Sequence, residues 1–211
     1  LNSMTAATTV DTYNTAVGHA AGAAVTSGTQ NTLIGGLAGD ALTTGSNNTV
    51  LGYNALSTED AHGKNVAIGD FALHTLDAGA DGYNTAVGHN TGAAMTTGTH
   101  NVIMGGLAGD ALTTGARNIA IGYSALGSED TGGRNVAIGR AALNVLNAGQ
   151  DGYNVAIGDD AGFSMTTGTT NTIVGGLAGD ALTTGSSNTL MGYNAGGALV
   201  AGGLNVAIGA F

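Results

Sequence analysis

Asn14-Thr15-Ala16-Val17-Gly18 is the first of twelve copies of the pattern Asn-x-x-x-Gly, which begin at Asn14, Asn31, Asn48, Asn65, Asn84, Asn101, Asn118, Asn135, Asn154, Asn171, Asn188 and Asn205. Successive copies follow a 17-residue step, lengthened to a 19-residue step from Asn65 to Asn84 and from Asn135 to Asn154. A short fixed period marks a solenoid, in which each repeat is one coil stacked on the last. A second period is laid over the first. Asn14, Asn84 and Asn154 head three near-copies of a four-coil block. The expected organisation is a lead-in or partial coil over residues 1–13, then a β-roll over 14–211 in blocks 14–83, 84–153 and 154–211.

Within each pentapeptide the residue after Asn is Thr, Val or Ile, and the third residue is always large and apolar, from Val17 to Ile208. Side chains alternate across a strand, so these two positions share one face. The middle position faces the other way, yet it holds Ala16, Leu33, Val50, Ala67, Ala86, Ile103, Ala120, Ala137, Ala156, Ile173, Leu190 and Ala207. Two apolar faces are the pattern of a strand buried on both sides. A 17-residue coil encloses only one face in its own thin interior and holds too little core to be comfortable alone. The expectation is therefore that several chains associate side by side, burying the middle positions against one another. The competing reading is a monomeric solenoid whose middle positions are covered by its own second strand. Each coil reads as two short strands, as at Thr15–Val17 and Ala23 to Thr26, joined by Gly-containing corners.

The twelve asparagines read as a structural ladder, stacked at ~4.8 Å per coil, in which each amide bonds the next. Asn also tolerates the left-handed backbone of tight corners. The glycine closing each motif is expected to supply positive φ or a close backbone approach. The Ala three residues later, present in ten of eleven complete coils with Thr91 the exception, reads as a tight packing site.

Composition excludes several classes. Glycine supplies 39 of the 211 residues, but without Pro or a three-residue period there is no collagen helix. A hydrophobic content of 43% with 9% charged residues argues against disorder. Four Lys and Arg against fourteen Asp and Glu give a net charge of −10, which suits neither nucleic acid nor an anionic membrane. No apolar run approaches the ~20 residues of a membrane span, and no secretory signal is visible. Without cysteine there is no disulfide framework and no thiol metal site. The chain begins at Leu1 rather than Met, and is expected to be a fragment or processed piece.

Asn-Val-Ala-Ile-Gly at Asn65, Asn135, Asn154 and Asn205, and Asn-Ile-Ala-Ile-Gly at Asn118, resemble the head repeats of YadA-like trimeric autotransporter adhesins. Asn-Thr-Ala-Val-Gly and Gly-Tyr-x-Ala-Leu elements are similar to repeats of bacteriophage tail fibres. The resemblance covers nearly the whole chain from Asn14 onward and implies a left-handed parallel β-roll that trimerises through its strands. Two departures lean toward the fibre-type relatives: a 17-residue repeat stands in place of one near fourteen, and Thr, Val or Ile replaces the serine that commonly follows Asn.

Glu59-Asp60 and Glu129-Asp130 resemble paired catalytic carboxylates, but adjacent residues on an extended segment point apart, and Leu199-Val200 stands at the third copy. They read as a solvated acidic corner. Asp77-x-Gly-x-Asp81-Gly82 has the look of an oxygen-ligand calcium loop, which its second copy at Asn147 to Gly152 keeps only in part. The five histidines, His19, His62, His74, His89 and His100, lack a repeated metal-ligand spacing. Tyr53, Tyr123 and Tyr193 follow a strand glycine in every fourth coil, and Tyr13, Tyr83 and Tyr153 precede a strand asparagine in every fourth coil. Tyr is a common anchor in recognition surfaces, so Tyr53, Tyr123 and Tyr193 are candidate receptor contacts. Thr-Thr-Gly corners at Thr43, Thr96, Thr113, Thr166 and Thr183 raise an ice-binding alternative.

The sequence thus predicts an all-β parallel β-solenoid of about twelve 17–19-residue coils, left-handed and homotrimeric by resemblance. The expected role is a structural and adhesive segment of an extracellular fibre, a phage tail fibre or bacterial surface adhesin, acting by multivalent attachment. Its expected partners are further copies of itself and a cell-surface glycan or protein receptor. No nucleic acid, no membrane insertion by this segment, no cofactor, no metal and no catalytic residue are expected. The alternatives are a polysaccharide-cleaving tailspike, a passive spacer and the ice-binding solenoid.

Overall fold

The computed structural model describes residues 12–210; residues 1–11 of the expected lead-in, and Phe211, lie outside the described residues. Each pentapeptide contributes one strand of three residues: β1 (Thr15–Val17), β2 (Thr32–Ile34), β3 (Thr49–Leu51), β4 (Val66–Ile68), β5 (Thr85–Val87), β6 (Val102–Met104), β7 (Ile119–Ile121), β8 (Val136–Ile138), β9 (Val155–Ile157), β10 (Thr172–Val174), β11 (Thr189–Met191) and β12 (Val206–Ile208). They form one parallel sheet in chain order. Equivalent positions stand opposite one another, as in Ala16 against Leu33 and Leu190 against Ala207. Twelve strands bound eleven turns, a stack ~53 Å high at ~4.8 Å per turn. The sheet passes unbroken through the block boundaries, where β4 pairs with β5 and β8 with β9.

The glycine that ends each strand is a steric requirement. Gly18 has φ +135°, and a Cβ placed on it would lie 2.3 Å from the carbonyl oxygen of Gly35 in the next coil. Other residues cannot occupy that backbone so close to a neighbour. The left-handed corner residue is not the motif asparagine, contrary to the sequence reading. It is the residue before it, for example Gln30 (φ 59°), His100 (φ 61°) and Arg117 (φ 60°). The asparagine is already committed to hydrogen bonds that leave it no corner to turn.

Two expectations about the coil are corrected. The far side of each coil is a run of turns and not a second strand. In the first coil Ala20 and Gly22 have positive φ, and bonds from Ala23 N–H to Ala20 C=O and from Val25 N–H to Gly22 C=O curl the segment. It still bonds to the coil above, through Gly22 N–H to Ala38 C=O and Ala24 N–H to Asp40 C=O. The polar backbone is thus satisfied without an extended segment.

The second correction concerns the middle strand positions. They do not face neighbouring chains; Leu33, Val50, Ala67, Ala86, Ile103, Ala120, Ala137, Ala156, Ile173 and Leu190 are wholly buried inside the single chain. They share one core with the turn residues Val25, Leu42, Leu76, Met95, Leu112, Leu146, Met165 and Leu182, and with the alanine three residues beyond the strand glycine. The first and third positions form the outer face. Large side chains in the turn segment fill the coil from the far side, so one coil covers its own middle residue without a second strand.

Candidate functional site

The asparagines stand in one column, nearly all buried. Each side-chain oxygen accepts the backbone N–H of the next asparagine: Asn31 donates to Asn14 Oδ1 at 2.8 Å, Asn118 to Asn101 Oδ1 at 2.8 Å, and Asn171 to Asn154 Oδ1 at 2.9 Å. The side-chain nitrogen bonds across the same coil to a glycine carbonyl further along the chain, as from Asn101 to Gly115 and Asn118 to Gly132. One amide therefore closes its own coil and ties it to the next. The pattern fails in the two 19-residue coils and at Asn48, where His62 stands in place of the glycine and the Nδ2 bonds Asn31 Oδ1. Asn65 Nδ2 turns back to Gly63 C=O at 3.3 Å, and the buried Asn135 Nδ2 has no partner.

Outward, the first and third strand residues make two columns of Thr, Val, Ile, Leu and Met running the height of the sheet. No charged residue occupies a strand position among the described residues. Val17, Leu51, Met104, Ile157 and Met191 are all prominently exposed. Tyrosines flank this face at both edges. Tyr53, Tyr123 and Tyr193 lie over the side-chain-free Gly36, Gly106 and Gly176 of the preceding coil and remain about half exposed. Tyr53 also meets Phe71 edge-on at 5.6 Å. At the other edge, Lys64 Nζ sits 4.9 Å from the centroid of the Tyr83 ring and donates to its hydroxyl at 2.9 Å, while His100 stacks on that ring at 5.1 Å. Arg134 holds Tyr153 in the same way.

The acidic corner is a further correction. Asp60 is exposed, but Glu59 and Glu129 are wholly buried rather than solvated. Glu59 accepts the N–H groups of His62 and Ala78, each at 3.1 Å; Glu129 accepts those of Gly132 at 2.8 Å and Ala148 at 3.1 Å. Each carboxylate bridges two coils and fills the space beneath a 19-residue return. Burial pushes both carboxyls above the usual Glu range, with the backbone donors opposing. Asp77 comes within 4.8 Å of Glu59, Asp60 and His62, a set of groups able to ligate a cation. The second block keeps the glutamate but has Gly132 and Asn147 where His62 and Asp77 stand. What persists in both is the structural bridge. Asp81, paired with Asp77 in the calcium-loop reading, is instead held by Lys64 at 2.6 Å, which lowers its pKa.

His74 Nδ1 bonds Ser57 Oγ at 2.7 Å, whereas His19, His89 and His100 are exposed. In the Thr-Thr-Gly corners the first hydroxyls donate to carbonyls of the next coil: Thr43 to Asp60, Thr96 to Thr113, Thr113 to Asp130, Thr166 to Thr183 and Thr183 to Val200. Those hydroxyls bind the stack together.

One concavity escaped the sequence reading. A cleft of about 240 Å³ is lined by Arg140, Asp160, Phe163, Ser164, Leu177 and Asp180. Arg140 Nε and Nη2 grip the carboxylate of Asp159, both at 2.9 Å, and Nη2 also bonds Asp160 Oδ2. The other oxygen of Asp160, and Oδ1 of Asp180, are shielded from water with no hydrogen-bond partner. The available signal was departure from the block repeat. Arg140 replaces Asp70, Asp160 replaces Asn90, and Phe163-Ser164 replaces Ala93-Ala94.

No family model, curated protein or solved structure matches this chain.

Proposed function

We propose that this chain is a structural and adhesive segment of a homotrimeric, left-handed extracellular fibre, of the phage tail-fibre or bacterial surface-adhesin kind, that acts by multivalent attachment rather than catalysis. The observation that carries the reading is the outward strand face, an uncharged apolar stripe along the whole sheet. Soluble monomers rarely leave so long an apolar surface uncovered. Charge is excluded from it although the chain carries −10 overall, which is what association of like-charged copies requires. The sequence resemblance to trimeric head repeats supports three copies around that face rather than two.

Rigidity follows from the ladder, because every coil is tied to the next by sheet, turn and asparagine bonds. Repetition of the exposed tyrosines in three blocks and three chains converts weak contacts into firm attachment. Tyr53, Tyr123 and Tyr193 are the proposed receptor contacts. The receptor class is a cell-surface glycan or protein. Sedimentation of the isolated chain at micromolar concentration tests the assembly, with three copies expected and a well-folded single copy ending the proposal. Glycan and protein arrays then separate adhesin from spacer, and release of new reducing ends from a polysaccharide would mark a tailspike enzyme instead.

A further inference from the structure

We infer that the cleft between Arg140 and Asp180 is a binding site for a primary ammonium group carried on a small stem, as in a lysine side chain or an amino sugar. The triple repeat supplies an internal control. At the equivalent place in the first coil the chain has Ala20, Ala23 and Ala24; at the first block junction it has Asn90, Ala93 and Ala94. Only the second junction has Asp160, Phe163 and Ser164, facing Arg140 from the adjoining coil. Nothing in the fold demands them, since the same coil closes elsewhere with alanines.

The chemistry of the lining selects the ligand. Arg140 is spent on Asp159 and Asp160, so it orients Asp160 and leaves no free cation to attract an anion. Asp160 Oδ1 and Asp180 Oδ1 are acceptors without donors, which is costly away from water. The Asp180 oxygen is not peculiar to this junction, because Asp40 Oδ1 in the first block is likewise unpartnered; Asp160 is the addition. Both residues line the cleft, and the last torsion of an Asp side chain is a soft one, so an entering donor can draw either oxygen toward it. Carboxylates outnumber the single guanidinium, favouring a ligand that brings both donors and positive charge. A primary ammonium offers three compact donors, and the exposed Phe163 ring offers a face for it. A bare divalent cation fits less well, because Arg140 occupies the second oxygen of Asp160 and repels a double charge about twice as strongly as a single one.

The site goes beyond the adhesive reading and is tested apart from it, on the dissolved chain whatever its assembly. Amide resonances of Phe163 and Ser164 are followed at neutral pH during titration with D-glucosamine and with Nα-acetyl-lysine amide. N-acetyl-D-glucosamine and the Nε-acetylated lysine derivative serve as uncharged controls. The expected result is a saturable shift with at least one amine and none with the acetylated forms; the amine that responds more strongly names the source. Combining Asp160→Asn, Phe163→Ala and Ser164→Ala restores the residues of the first junction, which this fold already accepts. It is expected to weaken binding about tenfold or more, through loss of a charge-assisted hydrogen bond. Absence of a saturable amine shift, equal response to the acetylated controls, unchanged affinity in the triple variant, or a response to calcium chloride in place of the amines would overturn the inference.

Discussion

The two faces of the same three-residue strand differ in how each coil meets their demands. Inside, residue volume varies from Ala to Leu and Ile, and between the second and fourth coils of a block the far wall varies with it. Ala67 and Ala137 share coils with two leucines each, Leu73 with Leu76 and Leu143 with Leu146. Leu33, Ile103 and Ile173 have one large residue beyond the strand in their coils, Leu42, Leu112 and Leu182. Outside, the third position stays large in all twelve strands, with nothing in the chain to offset it. Apolarity alone does not tell inside from outside; in the second and fourth coils compensated volume does. A face that keeps its size without an internal partner is one the single chain leaves uncovered.

The sharpest way to break this contrast lies on the inner face. Ile103 is wholly buried in the middle of β6. Ile103→Ala is expected to destabilise the chain by about 3 kcal/mol, as large-to-small core changes do, read as a fall in the urea midpoint. Ala137→Leu should also destabilise, by about 1–3 kcal/mol, because it overfills a coil already holding two leucines. Adding Leu146→Ala to it should recover part of that loss. Strict additivity of the pair would show that the two walls do not share one volume.

The asparagine column gives the next effect. Asn118→Ala removes the acceptor of the Asn135 N–H and the donor to Gly132 C=O, both buried. The expected cost is about 2 kcal/mol or more, from leaving buried groups unpaired. Asn135→Ala removes the acceptor of the Asn154 N–H and of its Nδ2, but that Nδ2 keeps its bond to Gly168 C=O and the change relieves the unpartnered Asn135 Nδ2, so it should cost less. Equal losses in thermal unfolding would mean that the 19-residue return carries no hydrogen-bond penalty.

The repeat, the parallel sheet and the strand register were legible because a 17-residue period and a three-residue apolar core admit little else. The asparagine column was legible for the same reason, though its cross-coil bond to a glycine carbonyl was not. Which face points inward was misread, because both faces are apolar and the turn leucines were not counted as a wall. Burial of Glu59 was hidden by its neighbour: Asp60 is exposed one residue away, and only the backbone N–H of Ala78, one long coil further on, shows why the longer side chain turns in. Tertiary pairing at that separation leaves no local mark. The Arg140 cleft was visible as a lapse in the repeat, but a lapse has no shape until the coils are stacked.

A smaller effect comes from the buried carboxyls. Burial raises the folded pKa of Glu59 and Glu129 above 4.5. The folded chain therefore holds these protons more tightly than the unfolded chain. The resulting stability is complete below about pH 4.5 and is lost as pH rises through the folded value. Acidification from neutral toward pH 4.5 should accordingly raise the urea midpoint, and Glu129→Gln should remove about half of the contribution from this pair. Asp81 shifts downward, so its opposing loss falls below its ordinary 3.8 and outside the window. A wild-type midpoint that declines with acid across this range, no less than in the variant, would contradict the assignment.

The smallest effect on the fold, and the largest on assembly, belongs to the outer face. Met104 is the neighbour of Ile103 in β6 but is 39% exposed. In a dilute single chain, Met104→Lys keeps an apolar stem over the sheet and its ammonium in water. Its cost should stay within about 0.5 kcal/mol, as for surface substitutions generally. If copies associate through these columns, the same ammonium is carried into an apolar seam without a partner, which is prohibitive. Wild type should therefore sediment as three copies at micromolar concentration and Met104→Lys as one. The two should nevertheless share an unfolding midpoint once diluted to single chains, where Ile103→Ala still unfolds early. Equal assembly of wild type and Met104→Lys would move the contact surface elsewhere, leaving the outer columns without a role in joining chains.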